Sequence, residues 1–282
     1  MGIVPNYFDP GVGIVDRAAD PIETNPAPLC EEHPDLALCA RDLEIRFGPI
    51  AALTGVTIDV PYGVTVAVLG PNGSGKSTLF GAAVGLLKPA AGTIGTGGRG
   101  VAWLPQSLEL EPSFPLTVRD VVAMGRWGKR GWLRRMNAED HERIESAISV
   151  LGLEDVRSQP LNALSGGQRQ RALLAQAIAQ DAGLVLLDEP LTGVDRPTAA
   201  RIGALIPRWR DEGRTVMVAT HDLDAAARDF DLVLALNGQM VAYGPAVEVC
   251  TEEVLRETFS GHVARIDTGE LVDTSHRHPG AA

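Results

Sequence analysis

Two short stretches of this 282-residue chain combine residue types suited to phosphate chemistry. GPNGSGKS at 70–77 fits the spacing G-x-x-x-x-G-K-[ST]. Glycines let backbone N–H groups converge on phosphate oxygens, and a helix starting inside the loop adds partial positive charge. Residues Gly70, Pro71, Asn72, Gly73, Ser74, Gly75, Lys76, Ser77 and Thr78 therefore read as a nucleotide cradle. Lys76 would reach the β- and γ-phosphates, and the Ser77 hydroxyl would ligate Mg²⁺. Lysine is scarce here: Lys76, Lys88 and Lys129 stand against 22 arginines, so a lysine in a glycine loop is informative. The second stretch, LVLLDEP at 184–190, ends an apolar run with two carboxylates. Asp188 fits a Mg²⁺ partner, and Glu189 fits the group that polarises an attacking water. Taken alone, the same pair also suits a helix N-terminus capped by acids before Pro190.

These residues need rigid elements behind them. VTVAVL (64–69) is a β-branched apolar run that leads straight into the glycine loop, and a helix is expected from about Lys76 to Leu87. VAWL (101–104), GLVLL (183–187), TVMVA (215–219) and LVLAL (232–236) read as further strands. Ile144, Ala147, Ile148 and Leu151 recur at helical spacing before Gly152, as do Ile202, Leu205, Ile206 and Trp209 before Gly213. Such alternation predicts an α/β domain with a largely parallel sheet. Residues 107–163 lack comparable strands and read as an inserted helical subdomain.

Composition narrows the rest. The longest apolar runs are about five residues, against the ~20 needed to cross a bilayer. No basic start followed by an apolar stretch marks a secretory signal. Three cysteines (Cys30, Cys39, Cys250) make no disulfide framework and read as plain thiols. Net charge is −11, but unevenly placed. The first forty residues hold seven carboxylates, one Arg and six prolines, a net of −6. They read as a mostly extended leader, dispensable for activity.

LSGGQ at 164–168, standing between the phosphate loop and the Asp188–Glu189 pair, completes a known set. With these motifs the sequence resembles the nucleotide-binding domain of ABC transporters. Gln106, ending VAWLPQ, matches that family's Q-loop; LTGVD at 191–195 matches the D-loop with Asp195; His221 matches the switch histidine. Phe47, 29 residues before Lys76, matches the aromatic that stacks on adenine. Tyr is commoner there, and a Phe ring can stack too. The resemblance covers roughly residues 41–260. It implies a P-loop ATPase fold with a mostly parallel core sheet, a small antiparallel β subdomain and a helical subdomain at about 107–165. The ATP-binding domain is expected over 36–262, with an acidic proline-rich leader at 1–35 and a flexible tail at 263–282. ATP and Mg²⁺ are the implied cofactors, with Ser77, Gln106 and Asp188 near the metal. Glu189, His221 and Gln106 carry the implied catalysis. Two copies are expected to pair head to tail, so that Ser165, Gly166, Gly167 and Gln168 of one act on the partner's ATP. Ser165 suits a helix cap, which would aim free N–H groups at the γ-phosphate.

Residues 114–135, 230–245 and 248–261 are similar to the manganese, zinc and chelated-iron importers within that family. This implies a motor for transition-metal import, bound to a separate membrane permease at the cytoplasmic face. An extracytoplasmic substrate-binding protein is the further partner, with no nucleic acid. Iron-siderophore and cobalamin importers are the nearest alternatives. Non-transport ABC ATPases fit less well, because Lys76 and Ser165 are only 89 residues apart with no heptad run between. The basic stretch RWGKRGWLRR (126–135) reads as a solvated or permease-facing surface, and HRHP (276–279), with His262, as a flexible polar end rather than a metal sensor.

Overall fold

The computed structural model of the chain describes residues 34–106, 116–127, 135–192, 194–259, 263–265 and 271–273. Cys30, residues 128–134 of the basic stretch, His262 and the HRHP motif lie outside the described residues.

Two 12-residue strands, β1 (Leu36–Phe47) and β2 (Ile50–Pro61), pair as an antiparallel hairpin. The chain then runs through β3 (Thr65–Leu69) and the glycine loop into α1 (Lys76–Ala83). It returns as β4 (Ala91–Thr96) beside β1, closing a three-stranded antiparallel sheet. After β5 (Val101–Leu104) come α2 (Val118–Met124), α3 (Ala138–Val150) and α4 (Gly166–Gln180). All three helices start on a reciprocal capping box: Thr117 with Asp120, Asn137 with Asp140, Ser165 with Gln168. Each box satisfies two of the amides that a helix start leaves without partners.

The core then alternates: β6 (Leu184–Asp188), α5 (Arg196–Asp211), β7 (Thr215–Thr220), α6 (Leu223–Asp229), β8 (Leu232–Leu236) and β9 (Met240–Pro245). Short helices α7 (Ala246–Val249) and α8 (Glu252–Thr258) follow. The second sheet has the order β5-β6-β7-β3-β8-β9, parallel except for β9 at its edge. The inner strands β6, β7, β3 and β8 are buried on both faces, which is why they read as unbroken apolar runs. Leu184 and Leu186 face β1, β2 and α1, whereas Val185 and Leu187 face α4 and α5. The helical region centres on Val121, Val122, Ile144, Ile148 and Leu174, all at most 1% exposed.

Three expectations change. First, the forty-residue extended stretch ends early: Leu36–Ala40, inside the 36–262 bounds, form the start of β1, and Ala37, Leu38, Cys39 and Ala40 are fully buried. Removing residues 1–40 should therefore lower the melting midpoint by about 5 °C or more relative to removing residues 1–33. Thermal unfolding of both truncations in reducing buffer checks this. Equal midpoints would contradict it. Second, Cys39 is disulfide-bonded rather than a plain thiol, which is why the buffer must be reducing; Cys250 is free and half-buried. Third, Arg126 does not belong to a solvated surface. It is 4% exposed, its Nε donates to Asp140 Oδ1 at 3.0 Å, and its Nη1 donates to the Ala179 carbonyl at 2.8 Å. Trp127 beside it is exposed. Within the stretch expected to be a flexible tail, β10 (Val263–Arg265) pairs antiparallel with β11 (Leu271–Asp273).

Candidate active site

The parallel strands end together. Leu69 of β3 lies opposite Thr220 of β7, Asp188 of β6 opposite Ala219, and Leu104 of β5 opposite Leu187. The segments that follow each strand thus emerge on one edge of the sheet, where open α/β sheets bind ligands. Those segments carry residues 70–78, Gln106, Glu189 and His221.

The loop after β3 is tightly constrained. A Cβ on Gly70 would collide with the Leu236 carbonyl oxygen and the Ser74 hydroxyl. At Gly75 (φ +98°) it would strike the Leu53 side chain and lie 2.9 Å from the Ala52 carbonyl. Only glycine fits either position. Ser74 N–H donates to the Pro71 carbonyl at 3.1 Å, which turns the loop. Lys76 is 6% exposed, and its Nζ donates to the carbonyls of Gly70 (2.7 Å) and Pro71 (3.1 Å). The loop thus curls around its own ammonium at the start of α1. The Ser74 Oγ is buried without a hydrogen-bond partner among the described residues. Asn72 and Gly73 form the exposed tip, and Ser77 is exposed at the first turn of α1 beside the half-buried Thr78. A cradle of glycines, a buried cation and an orphaned hydroxyl is suited to anionic phosphate oxygens.

Asp188 ends β6 at 2% exposure. Burial pushes its carboxyl above the ordinary value; a hydrogen bond from Ser77 opposes this, Glu189's charge adds to it, and Lys76's charge opposes it. Ser77, Asp188 and the nearby Gln106 supply oxygen donors, the ligand type a hard cation such as Mg²⁺ takes beside phosphate. Among the described residues no cluster of three or more His, Cys, Asp or Glu is placed to hold a metal by itself.

Glu189 adopts φ +49°, a left-handed conformation rarely held by a non-glycine residue. Its amide donates to the Ala219 carbonyl at 3.1 Å, which ties it to β7. Its carboxylate Oε2 accepts from Gln106 Nε2 at 2.9 Å and from Thr192 Oγ1 at 3.2 Å. No helix starts at Pro190, so the acid-capped helix is not what this pair builds. Thr192 lies within the LTGVD motif, where the family resemblance singles out only Asp195; its added signal is a hydroxyl three residues after Glu189. His221 follows β7 directly and is exposed, while Asp222 beside it caps α6 by accepting from Ala225 N–H at 2.8 Å.

The remaining expected residues sit apart from this cluster in the chain's own contacts. Ser165 caps α4: its Oγ accepts from Gln168 N–H at 3.3 Å, and Gln168 Oε1 accepts from Ser165 N–H at 3.0 Å. The amides of Gly166 and Gly167 stand in the first turn of α4, where helix geometry provides no internal acceptor. Asp195 caps α5 by accepting from Thr198 N–H at 2.8 Å, and hydrogen bonds from the Thr198 backbone and side chain hold its carboxyl below the usual range. A Cβ on Gly167 would lie 3.6 Å from Asp195 Oδ2, so the 164–168 and 191–195 motifs are neighbours. Phe47 is half-buried at the end of β1.

Comparison with known proteins agrees with this build. A family model described as ABC transporter matches residues 53–192. The zinc transport system ATP-binding protein TroB of Treponema pallidum (strain Nichols) is 39% identical over 230 residues, covering 79% of this chain and 86% of that protein. The manganese transport system ATP-binding protein MntA of Synechocystis sp. (strain ATCC 27184 / PCC 6803 / Kazusa) is 40% identical over 219 residues, covering 74% and 84%. A solved structure of an ATP-binding subunit of an ABC transporter superposes with a TM-score of 0.68 at 25% identity, covering 80% of this chain and 94% of that one. With a glycine cradle, a paired acidic strand end and a capped LSGGQ helix on one scaffold, the chain belongs to the ATP-binding subunits of ABC transporters.

Proposed function

We propose that this chain hydrolyses ATP to drive import of a transition-metal ion (manganese, zinc or iron) through a separate membrane permease. The observation that carries hydrolysis is the placement of Glu189 directly after the buried Asp188, whose carboxyl is influenced by Ser77 and Lys76 of the glycine loop. Likeness to relatives named for zinc and manganese transport supports the class of cargo. No helix among the described residues is long and apolar enough to cross a membrane, so the channel falls to another subunit.

In this reading Phe47 stacks on adenine and residues 70–78 hold the phosphates. Lys76 exchanges its carbonyl partners for phosphate oxygens. Ser77, Asp188 and Gln106 would hold Mg²⁺, which neutralises charge on the phosphoryl oxygens when bound. Glu189 takes a proton from water as the water oxygen attacks the γ-phosphorus. The bond from that phosphorus to the β–γ bridging oxygen breaks, and ADP and inorganic phosphate leave. His221 orients the water and the γ-phosphate. A second copy supplies Ser165–Gln168, whose free amides face that phosphate, with Asp195 alongside. An extracytoplasmic binding protein delivers the metal, and the motor sits on the cytoplasmic face of the membrane.

Metal content of a strain deleted for this chain, measured for Mn, Zn and Fe, tests the cargo. The expected result is a severalfold loss of accumulation of one of the three, restored by the wild-type chain. Normal levels of all three, with uptake of a siderophore or cobalamin lost instead, would overturn it.

A further inference from the structure

The proposed base has a second anchor besides Gln106. A glutamate side chain turns about three bonds, and Glu189 stands half-exposed at a strand end, so its carboxylate must be held to face a water. Gln106 Nε2 and Thr192 Oγ1 donate to the same oxygen, Oε2. The other oxygen, Oε1, is thereby left as the edge that can accept a proton.

The two donors differ in how they reach Glu189. Gln106 comes from the segment after β5, 83 residues away in sequence, so its bond depends on the relative position of two separate segments. Thr192 lies three residues beyond Glu189, and its own amide donates to the Glu189 carbonyl at 3.1 Å. One residue therefore grips Glu189 at both ends, backbone and carboxylate, and moves with it.

We propose that Thr192 is a positioning residue for ATP hydrolysis: its hydroxyl fixes the Glu189 carboxylate through Oε2 whether or not Gln106 is engaged. This rests on Glu189 being the base, as read above. A bare turn-forming role would need only a residue that tolerates the turn. The positioning role needs a hydroxyl.

Steady-state phosphate release by the full chain separates the two. Thr192→Val keeps the shape and removes the donor. It should lower kcat about tenfold, the scale of losing a hydrogen bond to a charged group, with KM for ATP and the melting midpoint unchanged. Thr192→Ser restores the hydroxyl and should recover most of the rate. Wild-type kcat in Thr192→Val would overturn the proposal. So would equal losses in Thr192→Val and Thr192→Ser, which would assign the residue to the turn. Glu189→Gln, assayed alongside, keeps the underlying reading separate: a wild-type rate there would remove the base itself, irrespective of the Thr192 result.

Discussion

Glu189→Gln should cut ATP hydrolysis by about 10²–10⁴-fold, the range for loss of a general base, while ATP binding stays close to wild type. The substitution is nearly isosteric. A glutamine at 189 can still accept from Thr192 Oγ1 through its amide oxygen, and the backbone bond to Ala219 is untouched. What it loses is the negative charge and the capacity to take a proton from water. The glycine loop proposed to hold the phosphates, shaped by Gly70, Gly75 and Lys76, does not depend on it. Binding and hydrolysis should therefore separate, with nucleotide held and turnover stopped. Phosphate release at saturating ATP, beside equilibrium binding of a labelled ATP analogue, reads both quantities. Wild-type turnover would show that Glu189 is not the base.

The largest effect on stability is expected away from the site, at Asp140→Ala. Asp140 and Arg126 form an ion pair in the helical region with side chains 0% and 5% exposed. Asp140 also closes the capping box of α3, accepting from Asn137 N–H at 3.0 Å. Truncating it leaves Arg126 buried with its charge uncompensated, and it frays the helix start. Breaking such a pair from one side costs about 3–5 kcal/mol, well beyond a surface ion pair. Arg126 ties α2 to α3 through Asp140 and to α4 through the Ala179 carbonyl, so all three helices should loosen together. Chemical denaturation of wild type and Asp140→Ala measures the difference. A change under about 1 kcal/mol would mean that water reaches Arg126 and shields it.

Much of the scaffold could be read from residue order. The runs at 64–69, 183–187, 215–219 and 232–236 are strands because both faces are buried, which removes the polar alternation that would have made them ambiguous. Ser165 was legible as a cap because capping is local, set by a hydroxyl and an amide three residues apart. Other features depend on distant partners and were not legible. Arg126 looked like one basic residue among several; only Asp140 and Ala179, brought in by folding, make it a buried one. The acidic, proline-rich average of the first forty residues ran across the start of β1, although the domain bound at 36 did not. The meeting of Gln106 with Glu189 required the parallel register of β5 with β6, which no motif encodes.

Metal entry powered by hydrolysis at Glu189 requires that the two fail together. Metal accumulation is measured in cells lacking this chain and resupplied with either the wild-type or the Glu189→Gln form, at matched protein levels. The wild-type chain should restore the missing metal, and the Glu189→Gln chain should leave accumulation at the level of the deletion. Full restoration by Glu189→Gln would contradict the account.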